Sequence, residues 1–357
     1  MTRVIAVDVV RDWAIAVLRE AGLCEEDANI TAAALAFAEL RGVRTHGFIR
    51  LATYMERIRA GGIRPAARSA IDTDLGALVF VDAGHAIGMS SGVYCSDLAI
   101  EKAREHGAGV VIARNANHFG AAAFFANRIA DAGLLGFAFC NTDRVMCGPS
   151  GGQPVLGTNP VAVAVPLPHD QRPQLDMATT HVSAGKLIIA AQDGQSIPLG
   201  WAVDASGKPT TSAAAGLEGA LLPAGGPKGF GLAFAIDALV ALSGAAVSPE
   251  VSPLYGDPSA PQRVGQAFIA LQTGVSLEDY RRRMSGLVEA IHGSGPLSGP
   301  PALAPGEPEL AQEKANNGRL ELTDSLLSTL EHISAAAGCP LPELISLTVP
   351  GPHIDLG

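Results

Sequence analysis

From about residue 76 onward, short apolar runs typical of β-strands alternate with longer stretches of helical periodicity. The predicted strands cover residues 77–82, 109–113, 135–140, 160–165 and 174–178, and the predicted helices cover 87–105, 121–131 and 183–192. A chain in which strands and helices alternate in this way packs its helices against a sheet. The sequence therefore predicts a mixed α/β core over residues 76–309.

Helical patterns dominate the first 60 residues. They predict a first helix that ends at Gly22, a second from Glu25 to Leu40, and a third that follows a turn at 41–47 and ends at Gly61. A last helix is predicted at 322–337. We predict one helical domain at 1–75, which packs with residues 310–357, and surface loops in the Pro-, Gly- and Ser-rich segments 244–265 and 293–309.

The charge balance argues against one class of partner. The formal net charge is −10, and no run of Lys or Arg could neutralise a phosphate backbone, so we do not expect nucleic-acid binding. Only 17% of the residues are charged, below the usual ~25%. A surface poor in charge predicts oligomerisation.

Two features predict a cytoplasmic protein without a membrane span. The longest apolar stretch, 229–246, contains Asp237 and Ser243, and we predict that it forms a buried helix. The five cysteines are odd in number and form no Cys-x-x-Cys pair, so we predict a reducing compartment.

The sequence lacks the usual signature of a dinucleotide-binding fold. No Gly-x-Gly-x-x-Gly follows a predicted strand and opens a helix, and residues 225–229 (GGPKG) carry Gly229 where a phosphate-binding loop needs Ser or Thr. The chain therefore binds no dinucleotide, or binds it outside the Rossmann scheme. The nine histidines are scattered without metal-ligand spacing, so no metal site is predicted.

The segment 44–50 (RTHGFIR) gives the most informative local indication of chemistry. Thr45 is a suitable N-cap for the third helix, which would put His46 at the positive end of that helix and Arg50 on the same face. A carboxylate could meet the Arg50 guanidinium and the helix amides there, with an imidazole placed to exchange a proton. The helix N-terminus should also lower the pKa of His46. The alternative is a capping turn with solvated side chains.

Two further segments are candidates for ligand contacts. Residues 115–122 (NANHFGAA) lie between a predicted strand and a helix, and their small residues would let a phosphate or a ring approach the backbone. Asp176 ends an apolar strand and needs a partner when buried, for which Lys186 and Lys228 are candidates. The alternatives are a satisfied histidine in a tight turn, at His118, and two solvated lysines.

Taken together, these segments resemble one family. The matching stretches, in the family's order over about residues 10–310, are 41–50 (RGVRTHGFIR), 117–123 (NHFGAAA), 151–160 (GGQPVLGTNP), 175–186 (LDMATTHVSAGK), 197–210 (IPLGWAVDASGKPT) and 225–232 (GGPKGFGL). They resemble the type-2 malate/L-lactate dehydrogenases, a family that also includes ureidoglycolate dehydrogenase, diketogulonate reductase, sulfolactate dehydrogenase and the Δ1-piperideine/pyrroline-2-carboxylate reductases.

The resemblance implies a nicotinamide-dependent oxidoreductase with a fold distinct from Rossmann domains. It also implies a homodimer with its cofactor in an extended cleft. His46 would be the acid/base, assisted by Thr45, and Arg50 would hold the substrate carboxylate. His118 is a second candidate for the base, because some members assign that role to its equivalent.

The resemblance further implies substrate and cofactor contacts. Thr142 and Thr158 would contact the substrate or the nicotinamide. The cofactor contacts would be His118, Phe119, Gly120, Ala121, Ala122, Asp176, Met177, Ala178, Lys186, Lys228, Gly229, Pro305, Gly306 and Glu307. The cofactor would be NADP or NAD, with NADPH slightly favoured.

The expected reaction is hydride transfer between nicotinamide and C2 of a small 2-oxo or 2-hydroxy acid. The alternative is reduction of a cyclic imino acid, Δ1-pyrroline-2-carboxylate or Δ1-piperideine-2-carboxylate. Cyclic-imine reductases of this family have an aspartate at the position of Lys186, so the lysine favours the hydroxy-acid branch.

Overall fold

The computed structural model of this chain describes residues 3–296 and 299–342, and the predicted C-terminal segment beyond 342 lies outside them. The helices are α1 Val7–Glu20, α2 Glu25–Leu40, α3 Leu51–Ala60, α4 Gly88–His106, α5 Ala123–Asp131, α6 Ala184–Gln192, α7 Ala213–Glu218, α8 Pro227–Ala241, α9 Leu277–Gly293, α10 Glu307–Asn316 and α11 Asp324–Ala337. The strands are β1 Arg3–Ala6, β2 Ala70–Asp74, β3 Leu78–Asp82, β4 Ala108–Ala116, β5 Leu135–Cys140, β6 Met146–Gly148, β7 Gly151–Leu156, β8 Val161–Ala164, β9 Gln174–Met177, β10 Ala202–Val203, β11 Pro209–Thr210, β12 Ala220–Leu221, β13 Val264–Leu271 and β14 Arg319–Leu322. Short 3₁₀ turns lie at Arg44–His46, Phe48–Arg50, His169–Gln171 and Ser248–Glu250.

The largest sheet has seven strands in the order β2-β3-β4-β13-β5-β8-β9. β3 and β4 run parallel, and the other neighbouring pairs run antiparallel. Because side chains alternate along a strand, Val111 and Ala113 of β4 pack toward α4 and α5, while Ile112 packs toward α8. Helices therefore cover both faces of the sheet, and the predicted mixed α/β core is confirmed.

The central strand β13 is the main element that the sequence analysis missed. Its first two residues fall in the segment predicted to be a surface loop, yet Val264 and its neighbours are buried between β4 and β5. Gln266 interrupts the apolar run and hides the strand pattern. In the structure this amide is fully buried and donates to the carbonyls of Gly88 and Asn117 at 3.2 and 3.1 Å. A buried polar group with its hydrogen bonds made is compatible with a central strand.

Further elements have no counterpart in the prediction. A second sheet of five short strands has the order β11-β10-β12-β6-β7. Several of its strands are only two residues long, too short to show a period of their own. Helix α9 is amphipathic, and all of its residues are half-buried or exposed.

The first and last described elements pack together beside α2. β1 pairs antiparallel with β14, so that Arg3 lies opposite Leu322. Apolar residues of α1, α2 and α3 form one core with those of α11. The Trp13 indole donates to the carbonyl of Cys339 at 3.1 Å. Residues 5–63 and 320–333 therefore share one hydrophobic core.

Helix α8 corresponds to the long apolar helix of the sequence analysis, but only part of it is buried. Ile236 and Val240 pack inward, whereas Phe234 and Leu242, the residue directly after the helix, are each 63% exposed. The prediction of a buried helix is thus wrong for one face, which the single chain leaves open. Within residues 3–296 and 299–342, no helix has the length and apolarity needed to cross a membrane.

Candidate active site

A cavity of about 800 Å³ collects most of the predicted site residues. Its walls come from the turn after α2, the ends of β4, β5 and β9, and the first turn of α6. The predicted residues that line it are Thr45, His46, Arg50, His118, Phe119, Gly120, Ala121, Ala122, Thr142, Thr158, Asp176, Met177, Ala178 and Lys186. Side chains that were distant in sequence therefore face one space.

Five predicted cofactor contacts lie outside this cavity: Lys228, Gly229, Pro305, Gly306 and Glu307. Gly229 packs in the first turn of α8, where a Cβ would lie 2.4 Å from the carbonyl oxygen of Thr179. Glu307 accepts a hydrogen bond from the backbone of Ala304 at 2.7 Å and contacts His292. Their contact with a cofactor remains a prediction.

The turn that carries His46 differs from the predicted helix start. Helix α3 begins at Leu51 with Arg50 as its N-cap, and two 3₁₀ turns joined by Gly47 precede it. Thr45 is therefore not the cap, and His46 does not lie at the positive end of that helix. Instead, the carbonyl of Thr45 accepts a hydrogen bond from Nε of Arg50, which ties the two turns together.

Two imidazoles stack in the cavity. The His46 and His118 rings lie 5.3 Å apart between centroids, at an interplanar angle of 26°. The Tyr54 hydroxyl is 2.7 Å from Nδ1 of His118, and the backbone amide of His118 donates to Gln262 at 3.0 Å. Nδ1 of His46 is buried and has no hydrogen-bond partner among the residues described. We therefore expect Nε2, rather than Nδ1, to be the His46 nitrogen that exchanges a proton with a bound molecule.

Burial and Arg50 set the charge state of these rings. Loss of hydration, with the nearby Arg50 guanidinium, lowers the pKa of His46 to about 4. Burial lowers the pKa of His118 well below its ordinary value, and His46 and Arg50 add to this effect. Burial also raises the pKa of Tyr54, which keeps the phenol neutral. The lower His46 pKa agrees in direction with the sequence analysis, but its cause is burial rather than a helix N-terminus.

A loop that the sequence analysis placed at the surface reaches the cavity. Leu254, Tyr255 and Gln262 line it, and the Arg50 guanidinium lies 5.1 Å from the Tyr255 ring centroid. The buried Arg57 side chain holds this loop by donating to the carbonyls of Leu254, Asp257 and Ala260. The segment is irregular, as predicted, but its inner side belongs to the site.

The sequence analysis did not name Tyr54, Tyr255 or Gln262. Tyr54 could have been found, because it lies four residues after Arg50 and therefore on the same face of a helix. The other two depend on the fold of an irregular loop, for which no sequence periodicity exists.

A buried network positions the two predicted threonines. The hydroxyls of Thr142 and Thr158 lie 3.3 Å apart, and the Thr142 amide donates to Asn159 at 3.0 Å. Asp237 of α8 accepts hydrogen bonds from Asn141 at 2.7 Å and from Asn159 at 3.2 Å. The loops after β5 and before β8 are thereby held to α8.

The partner of Asp176 is a backbone amide rather than a lysine. Its carboxylate accepts from the N–H of Ala123 at 2.9 Å, at the start of α5, so the prediction of Lys186 or Lys228 is corrected. Asp176 is exposed along the cavity wall, but the protein atoms around its carboxylate reduce its hydration and raise its pKa to about 6, although this hydrogen bond opposes the change. Lys186 lies in the first turn of α6 and borders the same cavity.

Three curated relatives match nearly the whole chain. The L-sulfolactate dehydrogenase of Methanocaldococcus jannaschii is 36% identical over 93% of this chain and 96% of its own length. The ureidoglycolate dehydrogenase (NAD(+)) of Escherichia coli K12 is 33% identical, covering 88% of this chain and 90% of its own. The (2R)-3-sulfolactate dehydrogenase (NADP(+)) of Chromohalobacter salexigens is 30% identical, covering 92% and 98%.

Solved structures share the fold over a similar extent. Malate dehydrogenase from Entamoeba histolytica superposes with a TM-score of 0.91 at 26% identity, covering 96% of this chain and 100% of that one. Δ1-piperideine-2-carboxylate reductase from Pseudomonas syringae pathovar tomato superposes with a TM-score of 0.83 at 26% identity, covering 94% and 99%.

The family match and the relatives show that the chain is an oxidoreductase. Residues 5–331 match the model of the malate/L-lactate dehydrogenase family, and the chain belongs to that family. The resemblance drawn from the sequence motifs is thereby confirmed.

Proposed function

We propose that this enzyme transfers a hydride between a nicotinamide cofactor and C2 of a small 2-oxo or 2-hydroxy acid. One observation carries the proposal: the Arg50 guanidinium and the His46 imidazole line a single cavity, with His118 stacked on His46. A guanidinium binds a carboxylate through two parallel hydrogen bonds, and an imidazole beside it can exchange a proton with the neighbouring oxygen.

In this proposal each polar residue of the cavity has a separate role in the reaction. Arg50 holds the substrate carboxylate, and this orients C2 within the cavity. Nε2 of His46 takes the hydroxyl proton in the oxidation direction and returns it to the oxygen in reduction. A bound nicotinamide supplies the hydride acceptor or donor. Thr45 and the threonines Thr142 and Thr158 complete the polar wall around the substrate.

In the free enzyme, His46 has the protonation state that oxidation of a hydroxyl requires. With a pKa of about 4, His46 is neutral at physiological pH and is ready to accept a proton. In the free enzyme, the positive charge of Arg50 contributes to the low pKa of His46. A bound substrate carboxylate would offset that charge. Substrate binding therefore moves the His46 pKa upward and makes the imidazolium needed for reduction more accessible.

The cavity fits a nicotinamide cofactor. Its volume of about 800 Å³ is within the range of cofactor sites. The small residues 120–122 leave the backbone open to a flat ring, and Met177 and Ala178 line the same cavity. We assign NADP or NAD, with NADPH slightly favoured. Two relatives named above carry NAD(+) and NADP(+) in their names, which supports the class of cofactor.

We also propose that the cofactor binds outside a Rossmann domain. A Rossmann sheet is mostly parallel and receives the pyrophosphate at a helix that follows a glycine-rich turn. In the seven-stranded sheet described here only β3 and β4 run parallel, so the sheet is not of the Rossmann kind. The backbone N–H of Ala123, at the start of α5, already donates to the Asp176 carboxylate and is not free to bind a pyrophosphate.

Reduction of a cyclic imino acid is the second candidate. The structural match to the piperideine-2-carboxylate reductase favours it, because the same fold supports that reaction. Lys186 in place of an aspartate at the cavity wall favours the hydroxy-acid reaction instead.

Substitution of the two histidines tests the proposed roles. We expect His46→Ala to lower kcat by about 10²–10⁴-fold, because the hydroxyl proton would lose its proposed acceptor. His118→Ala is the matched control. It should lower kcat less, because in this proposal the His118 ring packs against His46 and does not itself exchange the proton. Activity close to wild type in His46→Ala, with a large loss in His118→Ala, would transfer the acid/base role to His118.

A further inference from the structure

Glu39 occupies an unfavourable place for a carboxylate. It lies in the last turn of α2 and is 4% exposed. The C-terminal end of a helix repels negative charge, and that turn contains no Lys, Arg or His among the described residues. Burial raises the pKa of Glu39 to about 7, which reflects the cost of removing it from water. A carboxylate at this position therefore needs a specific hydrogen-bond donor to offset the cost of burial.

That contact is with the backbone between the two 3₁₀ turns. Oε2 of Glu39 accepts a hydrogen bond from the N–H of Phe48 at 3.1 Å. The carboxylate also lies directly against Gly47, where a Cβ would come within 1.9 Å of Oε2. A side chain at position 47 would therefore push the carboxylate away from the Phe48 amide.

The Gly47–Phe48 peptide joins the two residues that matter most in the proposed reaction. His46 ends the first 3₁₀ turn, and Arg50 ends the second. We propose that Glu39 is a positioning residue. By accepting the hydrogen bond from the Phe48 amide, its carboxylate fixes the Gly47–Phe48 peptide, and with it the relative placement of the His46 imidazole and the Arg50 guanidinium. The inference rests on the proposed function, because it assigns Glu39 to the geometry of that reaction.

A pair of substitutions at Glu39 separates positioning from folding. Glu39→Ala removes the acceptor, and we expect kcat/KM for a 2-oxo acid to fall roughly 10–100-fold, the scale of a misplacement of about 1 Å. Glu39→Gln keeps an oxygen that can accept from Phe48, and we expect it to stay within about 3-fold of wild type. Circular dichroism and thermal melting establish that each variant is folded at the assay temperature.

Gly47→Ala tests the same contact from its other side. The new Cβ should displace the carboxylate and reproduce the loss seen in Glu39→Ala. Because both changes break one contact, we expect the Glu39→Ala/Gly47→Ala double variant to be no worse than either single variant. Independent, multiplying losses would overturn the proposal, as would a lower melting temperature with unchanged kcat and KM.

A second readout does not depend on turnover. In enzyme with ¹⁵N-labelled histidine, the His46 ring signals, assigned by their loss in His46→Ala, should shift in Glu39→Ala and stay in place in Glu39→Gln. Unchanged signals in folded Glu39→Ala would refute the positioning role. If the wild-type enzyme turns over no 2-oxo acid and yet the ring signals shift as expected, the proposed function fails while the role of Glu39 in placing His46 stands.

Discussion

At the scale of single residues, the charge of His46 depends on its neighbours more than on its own chemistry. An imidazole in water titrates near pH 6.5. Burial and Arg50 together lower the His46 pKa to about 4, so the ring stays neutral in the free enzyme at any pH near physiological. In the proposed reaction the same ring carries a proton during reduction, and we expect the substrate carboxylate to raise the His46 pKa.

Histidine NMR can follow this shift directly. We expect His46 in the free enzyme to remain neutral down to about pH 5, because the charged form is disfavoured. Saturation with oxamate, an analogue of a 2-oxo acid that carries its carboxylate, should raise the His46 pKa by offsetting the charge of Arg50. Arg50→Gln should raise it without ligand, because the guanidinium is one of the two causes of the low value. A His46 that titrates near pH 6.5 in the wild type, or ignores both changes, would contradict this account.

The motif residues could be predicted from sequence, but their local geometry could not. The sequence predicted that His46 and Arg50 lie together, and both line the cavity, although the helix on which that prediction relied begins only at Leu51. The predicted cap at Thr45 was wrong, because the chain forms two 3₁₀ turns joined by Gly47 in place of one longer helix. The Phe48 amide after Gly47 donates to the buried Glu39, a contact nine residues away in sequence that local propensity does not register.

At the scale of elements, α8 fixes the loops that carry the site threonines. Asp237 is 4% exposed and accepts from Asn141, Asn159 and Ser248, and Ser248 contributes both its backbone amide and its hydroxyl. A buried acceptor with several donors cannot be removed without leaving those donors unpaired.

Removal of this carboxylate should destabilise the fold. We expect Asp237→Ala to lower the free energy of unfolding by about 2–4 kcal/mol, measured by urea denaturation. Asp193→Ala, at an exposed position after α6, is the matched control and should change it by less than about 0.5 kcal/mol. Equal effects at the two positions would show that the network around Asp237 contributes little.

Most long elements could be predicted, and the failures have a common cause. The bounds of α2 and β5 agree with the prediction, because apolar periodicity or a bounded apolar run marks them clearly. β13 was missed because Gln266 and Gly265 break its apolar run, and only the fold shows that a buried amide is satisfied there. The short strands of the smaller sheet depend on pairing between segments far apart in sequence, which a local pattern cannot contain.

At the scale of the whole molecule, α8 presents a face that a single copy leaves open. Phe234 and Leu242 are each 63% exposed, and Leu232 is 37% exposed. We propose that a second copy of the chain covers this face in the homodimer that the sequence motifs imply. The low proportion of charged residues agrees with an interface of this kind.

Analytical ultracentrifugation tests the dimer. We expect the wild type to sediment as a dimer and Phe234→Glu to weaken it, because a charge would be buried at the interface. Leu75→Glu changes a residue that is also 63% exposed but lies in the turn between β2 and β3, and it should leave the dimer intact. A monomeric wild type, or a Phe234→Glu variant that associates as tightly as wild type, would refute the assignment of α8.

The most direct test of the proposed function is nicotinamide absorbance with the purified enzyme. NADPH and NADH would be paired separately with pyruvate, oxaloacetate, longer 2-oxo acids, and pyrroline- and piperideine-2-carboxylate. We predict oxidation of the reduced cofactor with one or more of the 2-oxo acids, because Arg50 and His46 are placed for a carboxylate and its neighbouring oxygen. Turnover confined to the cyclic imines would contradict that assignment and establish imine reduction, with Lys186 no barrier to it.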